Sequence, residues 1–211
     1  MNYYLTNSPA ATSSLRAAGV TFNQVREISS AIESEWFEGT TDRYERGHIA
    51  MIGNSRPEKN HLFGLEAFFL SEKARRLTVY TDCADKLRAA ESILRSNPSD
   101  DRPVEYIENS VISPGSYDEV EAVMHPSISE SLPRVVLEAQ ARGRKVLASD
   151  VGSMSEWVPS AYCRQLTTTK DWARALDDIL EDHSPDAISP KKRPLTVAEY
   201  TDALLELIIK E

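Results

Sequence analysis

Short apolar and β-branched runs recur from residue 48 onward, at 48–53 (HIAMIG), 77–81 (LTVYT), 104–107 (VEYI), 121–126 (EAVMHP) and 145–149 (KVLAS). They are predicted to be strands. Longer stretches between them, near 59–73, 84–96 and 132–142, repeat at helical spacing. Leu62, Leu65 and Phe69 share one face of the first, and Leu132, Val135, Val136 and Ala139 form an i, i+3, i+4, i+7 stripe on the third. Pro98 and the following SDDRP run are predicted to close the second helix, and Gly143 the third. Strands alternating with helices of this length predict an α/β domain built from βα units around a parallel sheet.

Both ends depart from this rhythm. Residues 3–20 read as a strand end, a turn and a short helix, and 21–47 as a connector without a βα repeat. At the other end, 169–183 reads as a helix, 184–194 as a proline-punctuated linker and 196–211 as a final amphipathic helix that must dock somewhere. The resulting division is 1–47, 48–185 and 186–211.

With 211 residues the chain can bury a full core, and 41% apolar with 27% charged residues excludes disordered and collagen-like classes. A net charge of -9 argues against a broad nucleic-acid or anionic-membrane surface and leaves room only for a small, local anion pocket. Cys83 and Cys163 lack CxxC or nearby histidine spacing, so neither a disulfide framework nor a metal site is expected, and both are read as buried thiols. The amino terminus has no basic, apolar leader pattern, and no apolar run is long enough to span a membrane, so the expected location is cytoplasmic.

Parallel α/β sheets bind ligands outside the carboxyl ends of their strands, where helix N-termini offer free N–H groups. After the first predicted strand comes GNSRPEKNH, in which Gly53 permits a tight turn and Arg56 and Lys59 lie close to a helix start. They suit a phosphate seat, or are solvated loop charges with Glu58 as a partner. After the fourth strand comes SESLPRVVLEA, in which Ser131 is predicted to cap a helix with Pro133 in its first turn. Glu130 then sits in the loop and Glu138 on the flank of the helix, outside the buried stripe. An i, i+4 surface pair of Arg134 with Glu138 is one reading; two carboxylates holding the hydroxyls of a polyol is the other. His125, at the strand end, faces the same region or is simply buried, and Gly152 in SDVGSMSEW suggests close backbone approach. GxxxxGK[ST], GxSxG, HExxH and GxGxxG are all missing.

ESLPRVVLEA followed by RGRKVLASDVGSMSEWV resembles, in order and spacing, the E-x7-E region of the retaining glycosyltransferases of the two-Rossmann (GT-B) kind, family 4 in particular. IAMIGNSRPEKNHLFGLEAF is similar to that family's first βα unit. The resemblance implies a Rossmann-like parallel sheet with helices on both faces, one half of a GT-B architecture, at 48–185. It implies a nucleoside diphosphate sugar as donor substrate, with no other cofactor and no metal. Glu130 is then the catalytic residue, contacting the transferred sugar, and Glu138 binds the ribose. Gly53, Asn54, Arg56 and Lys59 hold the diphosphate with backbone groups around Ser131, Leu132 and Pro133, and Glu108 and Asn109 lie near the base.

Three positions depart from the family pattern. Asn54 replaces the diphosphate arginine, Ser131 replaces a glycine, and TVYTDCADKL replaces a glycine-rich loop. The resemblance also casts 1–47 as the edge of an N-terminal acceptor domain with its interdomain linker, and 186–211 as a linker and crossover helix. The expected partners are therefore a nucleotide sugar and a separate acceptor domain or chain, with no nucleic acid and at most peripheral membrane contact. Two alternatives stand beside transfer: a non-catalytic nucleotide-sugar-binding module and an epimerase of the same architecture.

Overall fold

The computed structural model describes residues 4–21, 24–39, 43–95, 100–188 and 191–209. Along the chain run β1 (Tyr4–Thr6), α1 (Pro9–Ala17), β2 (Val25–Glu27), β3 (Ala31–Ile32), β4 (His48–Ile52), α2 (His61–Leu70), β5 (Arg76–Thr81), α3 (Asp85–Leu94), β6 (Val104–Glu108), β7 (Ala122–His125), α4 (Arg134–Ala141), β8 (Lys145–Ser149), β9 (Cys163–Arg164), α5 (Thr169–Glu181), α6 (Pro185–Ile188), β10 (Leu195–Thr196) and α7 (Val197–Ile209). All five predicted strands and the three helices between them form. Gly143 follows α4 at φ 66°, as a helix-closing glycine does, whereas Pro98 lies outside the described residues.

β4 to β9 make one six-stranded sheet in the order β6-β5-β4-β7-β8-β9, with every pairing parallel. Counted from β4, this is the 3-2-1-4-5-6 order of a Rossmann-like sheet, whose strand order reverses between β4 and β7. Every residue of β4 and β8 is buried, which is why these runs are almost continuously apolar instead of alternating. α2 packs against α3 and α5, and α4 packs on β7 and β8; the right-handed rule for parallel crossovers places these two groups on opposite faces. At the amino ends of the strands Lys145 Nζ lies 2.8 Å from Glu121 Oε1, both fully enclosed, and Glu121 Oε2 accepts the Gly47 N–H at 2.7 Å. Partnering on both sides is what makes such burial of charge tolerable.

Several details correct the sequence expectations. The supposed connector contains β2, which pairs in parallel with β1, and β3, which pairs in parallel with β10. It also holds a helical turn at Ser34–Phe37 with Trp36 buried. Isolated two- and three-residue strands carry too little periodicity to be read; the same holds for β9. Cys83 is exposed and Cys163 half-buried, so neither is the enclosed thiol expected. The final helix docks on β3 and β10. Among the described residues, no helix is long and apolar enough to cross a membrane.

Candidate active site

The loops that leave β4 and β7 flank the reversal of strand order, the position where open α/β sheets bind ligands. Their side chains meet where Lys59 Nζ lies 2.5 Å from Glu130 Oε1. Lys59 ends a helical turn at Pro57–Lys59, and the loop after β7 is tied to it where Ile128 N–H donates to the Glu58 carbonyl at 2.7 Å. The cation and the carboxylate are thus held by backbone as well as by their own attraction.

His125, the last residue of β7, completes this array. Its Nε2 lies 3.0 Å from Glu130 Oε1 and 3.0 Å from Ser127 Oγ. Burial lowers the His125 pKa despite the favourable Glu130 charge, so the ring is neutral near pH 7. For Glu130, burial pulls the pKa upward, but hydrogen bonds from His125, Lys59 and Ser127 outweigh it and hold the carboxyl at about 2. Glu130 is therefore a fixed anion. Its Oε1 takes both the Lys59 ammonium and the His125 ring.

Glu138 differs from expectation in burial. It lies not on an open flank but in the interior, with 7% of its surface exposed. Arg134 Nε does reach its Oε1 at 3.3 Å, the i, i+4 pair anticipated, and Arg134 also donates to Glu33 at 2.8 Å. The other oxygen, Oε2, accepts the Tyr117 hydroxyl at 3.1 Å. Burial raises the Glu138 pKa against the opposing pull of Arg134 and Tyr117. A largely desolvated carboxylate with one further lone pair on each oxygen can accept two adjacent hydroxyls. Tyr117, itself packed edge-to-face on Trp36 at 5.6 Å, was not anticipated, because nothing local to residue 117 signals a partner twenty-one positions away.

Ser131 does not cap α4. Pro133 occupies the N-cap position, so the helix begins at Arg134 without a side-chain cap, and Pro133 itself has no N–H to offer a ligand. Ser131 Oγ instead lies 2.8 Å from Ser8 Oγ and donates to Asn7 Oδ1 at 3.1 Å, which fastens the loop to the start of α1. Leu132 is buried in the core. Gly152 explains the closeness of the loop after β8: it sits at φ 60°, and a Cβ there would lie 2.1 Å from the Glu130 carbonyl oxygen.

The remaining predicted residues divide between two clefts. Gly53, Asn54 and Asn109 line one of about 270 Å³, together with Thr81 and Asp82. A Cβ on Gly53 would lie a tight 3.3 Å from His61 Nε2 and the Lys59 stem; its φ is not positive. Glu108 ends β6 instead of lying in the loop, pairs with Arg88 and is not among the residues lining this cleft. Arg56 lines a different cleft with Cys83 and Lys86. A possible metal-ligating group, Glu45, His48 and Glu119, lies at the opposite end of β4, where His48 already bonds the Glu119 carbonyl and Thr78 and where Arg76 pairs with Glu45.

The sequence profile of the family described as glycosyl transferases group 1 matches residues 46–182, more than half of the chain. The chain belongs to this family. Its fold is that of a GT-B glycosyltransferase domain: it superposes on Anabaena HepE, solved with UDP, with a TM-score of 0.83 at 15% identity, covering 100% of this chain and 64% of that one. A glycosyltransferase from Rickettsia africae gives 0.80 at 14% identity, covering 99% and 63%. Among curated relatives, D-inositol 3-phosphate glycosyltransferases of Nocardia farcinica and Paenarthrobacter aurescens are 44% and 40% identical over 69 and 65 residues. Those alignments take in 31% and 29% of this chain but 15% and 16% of the relatives, and the chain spans just under two thirds of the solved structures.

Proposed function

We propose that this chain is the donor-binding half of a retaining glycosyltransferase and that it binds a nucleoside diphosphate sugar across the reversal of strand order. The observation that carries the reading is the contact of Lys59 with Glu130, set between the β4 and β7 loops and followed eight residues later by the buried carboxylate of Glu138. A cation for the diphosphate and two separated carboxylates for two sets of hydroxyls are what such a donor requires. In this reading residues 48–185 form the donor-binding body, 1–47 the acceptor-domain edge with its linker, and 186–211 a linker and crossover helix.

Glu138 would accept the ribose hydroxyls and Glu130 those of the transferred sugar. Lys59 would take the diphosphate, helped by the amide groups that open α4, without a metal ion. As the bond between the anomeric carbon and the diphosphate oxygen breaks, negative charge builds on the leaving group, and a pre-positioned ammonium stabilises that charge more than it does the ground state. The acceptor hydroxyl bonds to the anomeric carbon from the face the diphosphate leaves, and its proton passes to the departing phosphate oxygen. Asn109 and Asn54 would border the base and phosphate ends of the 270 Å³ cleft.

UDP-glucose is the first donor to test, because a solved relative of the same fold, HepE, was crystallised with it. With water as acceptor, NMR of the sugar released by the purified chain distinguishes the stereochemistry. Retention yields the α-anomer first; initial release of the β-anomer contradicts the retaining assignment.

A further inference from the structure

We propose that the cleft between the amino ends of α2 and α3 is a second anion site, which takes a phosphomonoester with a small apolar body. It encloses about 340 Å³ and is lined by Arg56, His61, Leu62, Cys83, Lys86 and Leu87, among others. No residue of this cleft lines the one formed by Gly53, Asn54 and Asn109.

Three independent features converge there. First, α2 and α3 are ten-residue helices whose N-cap residues, Asn60 and Ala84, make no side-chain capping bond, so both first turns present uncapped N–H groups and positive dipole ends. Second, Arg56 and Lys86 bring two cations to the cleft of a chain with net charge -9, and among the described residues neither forms an ion pair. Third, His61 is 92% buried in the wall of the cleft, and no side chain among the described residues hydrogen-bonds its ring. A polar ring without a protein partner keeps hydrogen-bonding capacity for a ligand or water.

The acids nearby do not cancel this charge. Asp82 accepts the Ser55 N–H at 2.5 Å and the Thr81 hydroxyl at 3.3 Å, and Asp85, the acid in the first turn of α3, does not line the cleft. Leu62 and Leu87 give an apolar wall, which selects an organic phosphate over the free ion. His61 lines this cleft while its Nε2 faces Gly53, which lines the candidate donor cleft, so the two clefts are neighbours.

Cys83 provides the test. It is exposed in this cleft, whereas burial, with the nearby Asp150 charge, pushes the Cys163 thiol up to about 12. At about pH 8 alkylation therefore reports Cys83 selectively. We expect phenyl phosphate, at about ten times its dissociation constant, to slow Cys83 alkylation of the full chain about tenfold. Inorganic phosphate should protect more weakly, and UDP not at all. Combining the two surface substitutions Arg56→Ala and Lys86→Ala should abolish protection. Unchanged alkylation in phenyl phosphate, or protection that survives in the double variant, overturns the proposal. Protection by UDP would assign the cleft to the donor instead. The phenyl phosphate result stands whether or not the chain binds a nucleotide sugar, so the two readings fail separately.

Discussion

Lys59 Nζ and Glu130 Oε1 lie 2.5 Å apart, so the groups assigned to the diphosphate and to the sugar are each other's partners in the free protein. A donor must therefore divide an existing ion pair. Glu130→Gln frees Lys59 and should leave UDP affinity unchanged or tighter, while it weakens binding of the UDP-sugar by about 1 to 3 kcal/mol. Lys59→Ala should weaken both. Calorimetric titration of the two ligands into the two variants checks this; equal losses for UDP and UDP-sugar in Glu130→Gln would contradict the separate roles.

Tyr117 holds Glu138 through its hydroxyl at 3.1 Å. Tyr117→Phe keeps the edge-to-face packing on Trp36 but removes that bond, and should weaken UDP binding by about 1 kcal/mol, roughly fivefold. Thermal unfolding should show no collapse of the fold. Unchanged UDP affinity would mean that Glu138 does not depend on Tyr117 for its position.

His61 makes stability depend on pH. Burial, then the charges of His125 and Lys59, lower its pKa to about 4, whereas the unfolded chain takes up the proton near 6.5. Between those values the unfolded state binds more protons, so stability rises with pH across this window and falls on acidification by as much as about 3 kcal/mol. Burial lowers His48 and His125 as well, so they add in the same direction. His61→Gln should reduce the slope of unfolding free energy against pH from 4 to 6.5 without abolishing it. An identical slope in the variant would contradict the assignment.

Gly152→Ala introduces a methyl 2.1 Å from the Glu130 carbonyl oxygen at a backbone φ of 60°. Both strain and overlap oppose it, at about 1 to 3 kcal/mol each. Denaturant unfolding should show that loss, and because the displaced loop carries Glu130, UDP-sugar affinity should fall more than UDP affinity.

Much of the architecture was legible in the chain because its central strands are buried on both faces and separated by strongly periodic helices. β4 and β8 are the clearest cases. β2, β3 and β9 were not, since two or three residues hold no period and their pairing is fixed by distant neighbours such as Leu195 opposite Ala31. In the candidate site, their places after strands made Lys59 and Glu130 candidates and the family resemblance gave them roles; the structure brings their side chains together. The burial of Glu138 was not, because it depends on Tyr117 and on the turn around Trp36, both remote in sequence. Arg56 could not be assigned from its neighbours either: it lines a cleft with Cys83, in the loop after β5, and Lys86, in the first turn of α3.

The central claim, that Glu138 and Glu130 belong to a nucleotide-sugar site, is tested most directly by calorimetric titration of UDP-glucose into the full chain and its Glu138→Ala variant, with GDP- and ADP-glucose as alternative donors. The account predicts saturable binding of one of these donors and a loss of about tenfold or more in Glu138→Ala, the removal of hydrogen bonds to a charged acceptor. Equal affinity in the variant, or no binding of any of the three donors, would contradict it.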